Sequence, residues 1–138
     1  MSQLATFTLA GADYGIDLLR VQEALLGQIM TAVPLASPNV AGLINLRGEV
    51  VLAIDLRTTL GLGPLGANLE PMMMVVHAAG ELISLLVDDL GDVIDVEGCP
   101  LEAPPDTLPT SSREVILGVH QLESSLLLVL DIDRVTGV

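Results

Sequence analysis

The sequence predicts an all-β protein with short helices, built as two small barrels from one duplicated unit. Three observations carry this. Short aliphatic runs are separated by turn signals at roughly eight- to twelve-residue spacing, which is the rhythm of small barrels. Shifted by 76 positions, residues 42–62 fall on residues 118–138, with Gly42 on Gly118, Leu46 on Leu122, Leu52 on Leu128, Asp55 on Asp131 and Gly61 on Gly137. Hydrophobic residues make up 51% of the chain although Phe7 and Tyr14 are its only aromatics, so the core is aliphatic.

Taken in order, Leu4 to Leu9 alternates as a strand, and Gly11-Ala12-Asp13 turns the chain into Tyr14 to Leu18, where Tyr14, Ile16 and Leu18 share a face. Leu19 to Ala24 is expected to begin a helical turn capped by Asp17, and Ile29 to Val33 to return as a strand into Pro34. Ser37-Pro38 has the form of an N-cap followed by an N1 proline, so a short helix ending at Gly42 is expected there. Leu43 to Leu46 and Val50 to Ile54 then form a hairpin around Arg47-Gly48-Glu49, where a glycine supplies positive φ. Asp55 caps a short helix and Gly61 stops it.

Gly61 to Pro71 reads as a loop. Met72 to His77 and Leu82 to Val87 make a further hairpin around residues 78–81, apolar without alternation, as suits strands buried on both faces. The order then recurs: an acidic turn at Asp88-Asp89, a strand around Val93 to Val96, a proline-rich loop from Cys99 to Pro109, and the second copy of the capped hairpin.

At 138 residues the chain is long enough for one compact domain with a real core. Five arginines, no lysine and eighteen acids give a formal charge of −13, which repels phosphate backbones and anionic lipid heads. An oligonucleotide-binding barrel needs basic grooves and stacking aromatics, and neither is present. Residues 24–46 carry no charge. Pro34, Pro38, Gln28 and Asn39 interrupt that stretch, so membrane insertion is not expected. No basic segment followed by an apolar core opens the chain, so no signal peptide is expected, and a start at Met1 with both repeats favours a stand-alone protein. Cys99 is solitary and cannot form an internal disulfide.

No catalytic constellation is evident. His77 and His120 lack companions at metal-ligand spacing and are expected to be structural or incidental. Asp88, Asp89, Asp92, Asp95 and Glu97 suggest a divalent cation only weakly, because the order of a calcium loop is missing; a solvated acidic face is the simpler reading. The glycines of Gly61 to Gly66 lack the helix start and lysine of a phosphate cradle. Arg47 stands apart: a guanidinium at a hairpin tip presents a planar fork of donors to a partner, or else to a neighbour such as Glu49 or Glu23.

Tyr14-Gly15-Ile16-Asp17, Val21-Gln22-Glu23, Val33-Pro34, Gly42-Leu43-Ile44-Asn45-Leu46-Arg47-Gly48, Ile54-Asp55-Leu56-Arg57 and the late Leu130-Asp131 resemble, in order and spacing, the CheW family of chemotaxis coupling proteins. The resemblance covers nearly the whole chain. It implies two intertwined five-stranded barrels of the SH3-like or OB-like kind in a single domain over residues 1–138, the first mainly about 14–80 and the second mainly about 81–138 plus the N-terminal strand. It also implies a non-catalytic cytoplasmic adaptor without cofactor or metal, joining the signalling tip of methyl-accepting chemoreceptors to the regulatory domain of a CheA-like histidine kinase, with self-association in arrays. Partner contact is then expected at Val21, Glu23, Gly42, Asn45, Leu46, Arg47 and Gly48, in a groove between the barrels, with a second, apolar patch on a barrel end for the kinase. Leu52 and Ala41 depart from the family pattern, where proline and lysine are frequent. Two alternatives remain at this point: an adaptor of a pilus-motility or other non-flagellar kinase system, and a metal-dependent enzyme using the acids of residues 88–97.

Overall fold

The computed structural model describes residues 2–66 and 70–137. Ten strands occur in chain order: β1 (Gln3–Leu9), β2 (Ala12–Asp17), β3 (Val21–Leu26), β4 (Val40–Leu46), β5 (Glu49–Asp55), β6 (Met72–Ala78), β7 (Glu81–Val87), β8 (Asp89–Asp95), β9 (Ile116–Gln121) and β10 (Leu126–Leu130). The helices are α1 (Leu56–Thr59), α2 (Thr110–Arg113) and α3 (Ile132–Thr136), with one 3-10 turn at Leu18–Arg20.

The strands form two five-stranded sheets, ordered β8-β1-β2-β10-β9 and β3-β6-β7-β5-β4. These orders are the same under the duplication. The shift of 76 carries β4, β5 and α1 onto β9, β10 and α3, and a shift of 69 carries β1 and its Ala10-Gly11 turn onto β6 and its Ala79-Gly80 turn. Each sheet joins a hairpin of one repeat to three strands of the other through a parallel pair, Leu52 opposite Ile83 in one barrel and Leu128 opposite Tyr14 in the other. The barrels are therefore intertwined by exchange of hairpins.

This corrects the expected division of the chain near residue 81. Strand β2 belongs with the C-terminal strands and β7 with the earlier ones, so one barrel spans residues 21–87 and the other takes residues 3–17 and 89–130.

Alternation along the strands separates three cores. Ile44, Leu46, Val51, Ala53, Met73, Val75 and Leu86 fill one barrel. Leu4, Val96, Leu127 and Val129 fill the other. The largest cluster lies between them, where Phe7, Leu9, Tyr14 and Ile16 meet Ile54, Val76, Ile83 and Leu85. Strand β1 shows the rule: Leu4 faces into its barrel while Ala5, Phe7 and Leu9 face the other barrel.

Each barrel closes by one pair of backbone bonds. Thr31 and Leu43 exchange N–H···O bonds of 2.8 Å, and Glu102 and Val119 do the same at 2.8 Å. Leu43 and Val119 are duplicates at the shift of 76. The residue before each is a glycine, because a Cβ on Gly42 would stand 2.7 Å from the Thr31 carbonyl oxygen and one on Gly118 would stand 2.6 Å from that of Glu102.

Gly42 thus lies in a strand at a closure point and ends no helix. Residues 37–40 make only a turn, with Val40 N–H donating to Ser37 O at 2.9 Å, because Val40 already pairs with Ile54. The helical turn expected over 19–24 stops at Arg20, since Val21 onward pairs with β6. The expected strand over 29–33 is absent apart from the bridge at Thr31, and Ile29 is 95% exposed. Asp55 and Asp131 do cap α1 and α3, and Gly137 stops α3 at φ 78°. The loop expected over residues 61–71 is irregular where it is described, and 67–69 lie outside the described residues.

Two ion pairs fasten the points where the chain crosses between barrels. Arg20, on the turn from β2 to β3, bonds Asp133 of α3 at 2.7 Å and donates to His77 O at 2.8 Å. Asp88, on the step from β7 to β8, receives both arms of the Arg57 guanidinium from α1, and accepts from Ala10 N–H at 2.9 Å. Asp133 is the duplicate of Arg57, so the two crossings use the same device with the charges exchanged. The Arg57 hydrogen bonds hold the Asp88 carboxyl below the usual carboxylate range, against the opposing effect of burial. A lowered folded-state pKa contributes stability above the unfolded pKa of about 3.9 that is lost as pH falls through the folded value. Asp88→Asn is therefore expected to be less stable than the unaltered protein at pH 7, by about 1–3 kcal/mol, with the difference shrinking below about pH 4 in urea titrations.

Candidate functional site

No group of three or more His, Cys, Asp or Glu side chains converges among the described residues in a way that holds a metal ion. Asp88 of the acidic run is committed to Arg57, and Asp89, Asp92 and Asp95 lie exposed along β8, where charge protects an outer strand from pairing with other chains. His120 is buried with its Nδ1 3.0 Å from the Pro100 carbonyl oxygen, and His77 is exposed. Among the described residues, charged and polar side chains outside the two crossings gather around the β4–β5 turn.

That turn has Arg47 at φ 51° and Gly48 at φ 87°, the two left-handed residues of a tight hairpin whose twist matches its strands. Asn45 fixes it, its Oδ1 accepting from the Gly48 N–H at 2.9 Å. Held this way, the Arg47 guanidinium reaches Glu23 on β3 and donates to both carboxylate oxygens, one of them at 2.5 Å. Strands β3 and β4 are the two ends of one sheet order, so the fork spans the closed side of the barrel. The Arg47 side chain remains 68% exposed while that of Glu23 is 23% exposed. The guanidinium hydrogen bond lowers the Glu23 pKa, and the pair stays ionised across physiological pH.

Of the seven residues expected to meet partners, Glu23, Asn45, Arg47 and Gly48 come together at this tip. Val21 lies two residues along β3 from Glu23, half-buried against the interbarrel core. Gly42 and Leu46 are buried, the first at the closure point and the second inside the barrel.

A groove runs from this tip, and sequence reasoning, which expected a groove between the barrels, did not name the residues that line this one. It has a volume of 730 Å³, a floor of Leu43, Val50, Leu52, Leu82 and Ile83, and a margin that includes Glu49, Glu81 and Thr136 of α3. A smaller recess beside it is lined by Gln22, Leu46, Arg47 and Gly48. Val50 and Leu52 were the available signal, being apolar at alternate positions of a strand whose other face already fills a barrel. Also missed were Leu26, Ile29 and Leu35, which are 67%, 95% and 106% exposed at the end of β3 and on the connection to β4.

The CheW-like domain model matches residues 3–137. The chain is 30% identical over 138 aligned residues to the chemotaxis protein CheW of Treponema pallidum, covering 96% of this chain and 80% of that protein. It is 29% identical to the chemotaxis protein CheW of Bacillus subtilis, covering 96% and 85%. A crystal structure of the scaffolding protein TtCheW from Thermoanaerobacter tengcongensis superposes with a TM-score of 0.81 at 26% identity, over 94% of this chain and 88% of that one. With a match that takes in both barrels and both crossings, the chain belongs to the CheW-like domain family.

Proposed function

We propose that the protein is a non-catalytic scaffold of the cytoplasm that couples methyl-accepting chemoreceptors to a CheA-like histidine kinase. The observation that carries this reading is the correspondence of the whole two-barrel fold with a scaffolding protein and with chemotaxis proteins of the family. The same relatives favour a chemotaxis array over a pilus-motility adaptor. No helix among the described residues is long and apolar enough to cross a membrane.

In this reading the Arg47 fork is the receptor contact. Glu23 holds the guanidinium in one orientation, and the exposed side of that planar group donates to acceptors on an incoming helix pair without first losing rotamer freedom. Asn45 and Gly48 keep the tip in shape, and Gly42 and Leu46 act through the strand that carries it. Val21 borders the contact on β3. The exposed Leu26, Ile29 and Leu35 supply the apolar patch for the kinase's regulatory domain.

Arg47→Glu is expected to leave the circular dichroism spectrum and the thermal midpoint near those of the unaltered protein. Its affinity for a soluble receptor signalling fragment, read by calorimetry, is expected to fall by about tenfold or more, because the fork is lost and two carboxylates then face each other. Equal affinities for the two proteins would remove Arg47 from the receptor contact.

A further inference from the structure

We propose that the groove beside the Arg47 tip takes a partner segment of one chemical kind: amphipathic, with its apolar face bordered by lysine or arginine side chains. This rests on the scaffold reading and adds the chemistry of what is bound.

The first observation is a census of charge. Each of the five arginines lies within salt-bridge distance of a carboxylate, in the pairs Arg20–Asp133, Arg47–Glu23, Arg57–Asp88, Arg113–Asp106 and Arg134–Asp131. Five of the eighteen acids are used in this way, which leaves thirteen carboxylates without a cation in any of those pairs. An acidic partner therefore meets no uncommitted arginine, while a basic one gains at nearly every approach.

The second observation is where two of those carboxylates stand. Glu49 and Glu81 begin neighbouring strands, β5 and β7, over the apolar floor of the groove. Neither makes a side-chain hydrogen bond or ion pair among the described residues. The floor gives hydrophobic area, and the margin gives acceptors that only a donor or a cation satisfies. A segment crossing the groove with apolar residues down and basic ones at its sides answers both.

The duplication supplies an internal comparison. At the corresponding positions of the other barrel, Glu49 is replaced by Ser125 and Glu81 by Ala12, while Val50 and Leu52 are matched by Leu126 and Leu128. Leu82 of the floor is matched by Asp13, so the other barrel repeats neither the whole apolar floor nor the two acids beside it. The combination of an apolar floor with carboxylates at its margin is therefore specific to this groove, and its Val50 is 68% exposed.

The test uses the full chain and a labelled helical peptide of leucines on one face bordered by lysines, with a second peptide carrying glutamates in place of the lysines. Glu49→Gln/Glu81→Gln is expected to weaken the lysine peptide by about fivefold, and the control pair Glu97→Gln/Glu102→Gln, with the same change in net charge, by less than about twofold. Amide shifts on titration are expected at Leu43, Val50 and Leu82, and the glutamate peptide is expected not to bind. Equal weakening by the two double variants, shifts centred elsewhere, or no binding of the lysine peptide would overturn the assignment. No receptor or kinase enters this measurement, so failure here is separable from failure of the coupling role.

Discussion

Phe7→Ala is expected to lower the stability of the whole chain by about 3–5 kcal/mol, in one cooperative transition. Phe7 is fully buried between the barrels, and its ring stacks on Tyr14 at a centroid distance of 6.0 Å and an interplanar angle of 11°. Aromatics are otherwise absent from the sequence, so the surrounding aliphatic side chains have no comparable ring to move into the space. The cavity opens in the core both barrels share, and each barrel depends on a hairpin of the other repeat. The barrels cannot come apart one at a time. Tyr14 is the only tyrosine in a chain without tryptophan, so its emission reports the interbarrel core while far-ultraviolet circular dichroism reports all strands. Coincident urea transitions by both probes are expected for the unaltered protein and the variant. Two separated transitions would mean that the barrels fold independently.

The second large effect is expected at the closure points. Gly42→Ala and Gly118→Ala each place a Cβ at or under 2.7 Å from a backbone carbonyl oxygen, a distance that side-chain rotation cannot relieve. Each is expected to cost about 1–3 kcal/mol; at Gly118 the Cβ also meets Leu101 Cγ at 2.8 Å, and at Gly42 the backbone φ of 156° adds strain. Urea midpoints that match the unaltered protein would show that the closing bonds give way at little cost. Gly42→Ala also separates two roles for this residue. Partner binding that falls only in proportion to lost stability marks Gly42 as a strand residue rather than a contact.

What could be read from the sequence follows the range of the interactions involved. The β4–β5 hairpin, the caps at Asp55 and Asp131, and the stop at Gly137 depend on neighbours a few residues away, and they stand where the residues indicated. Pairing partners do not have that property. Strand β7 is apolar on both faces and suits either sheet, so nothing local says that it stays with β5 while β2 crosses to β10. Ile29 to Val33 has strand-like composition, yet β6 already occupies the partnered edge of β3, and only Thr31 finds a bond. The second shift, which places Ala10-Gly11 on Ala79-Gly80, was visible in the sequence and extends the repeat over the hairpins. At the site, Arg47 and Glu23 are 24 positions apart, and their pairing depends on the curl that brings the two ends of the sheet order together. The residues lining the groove were hidden for the same reason, since they come from both repeats.

The coupling role is tested most directly by the phosphorylation rate of the organism's own CheA-like kinase, mixed with a receptor signalling fragment, with and without this chain. A rate that rises when the chain is added, and rises much less with Arg47→Glu, is the expected result. A rate indifferent to the chain, at concentrations where all three proteins are folded, would contradict a coupling function.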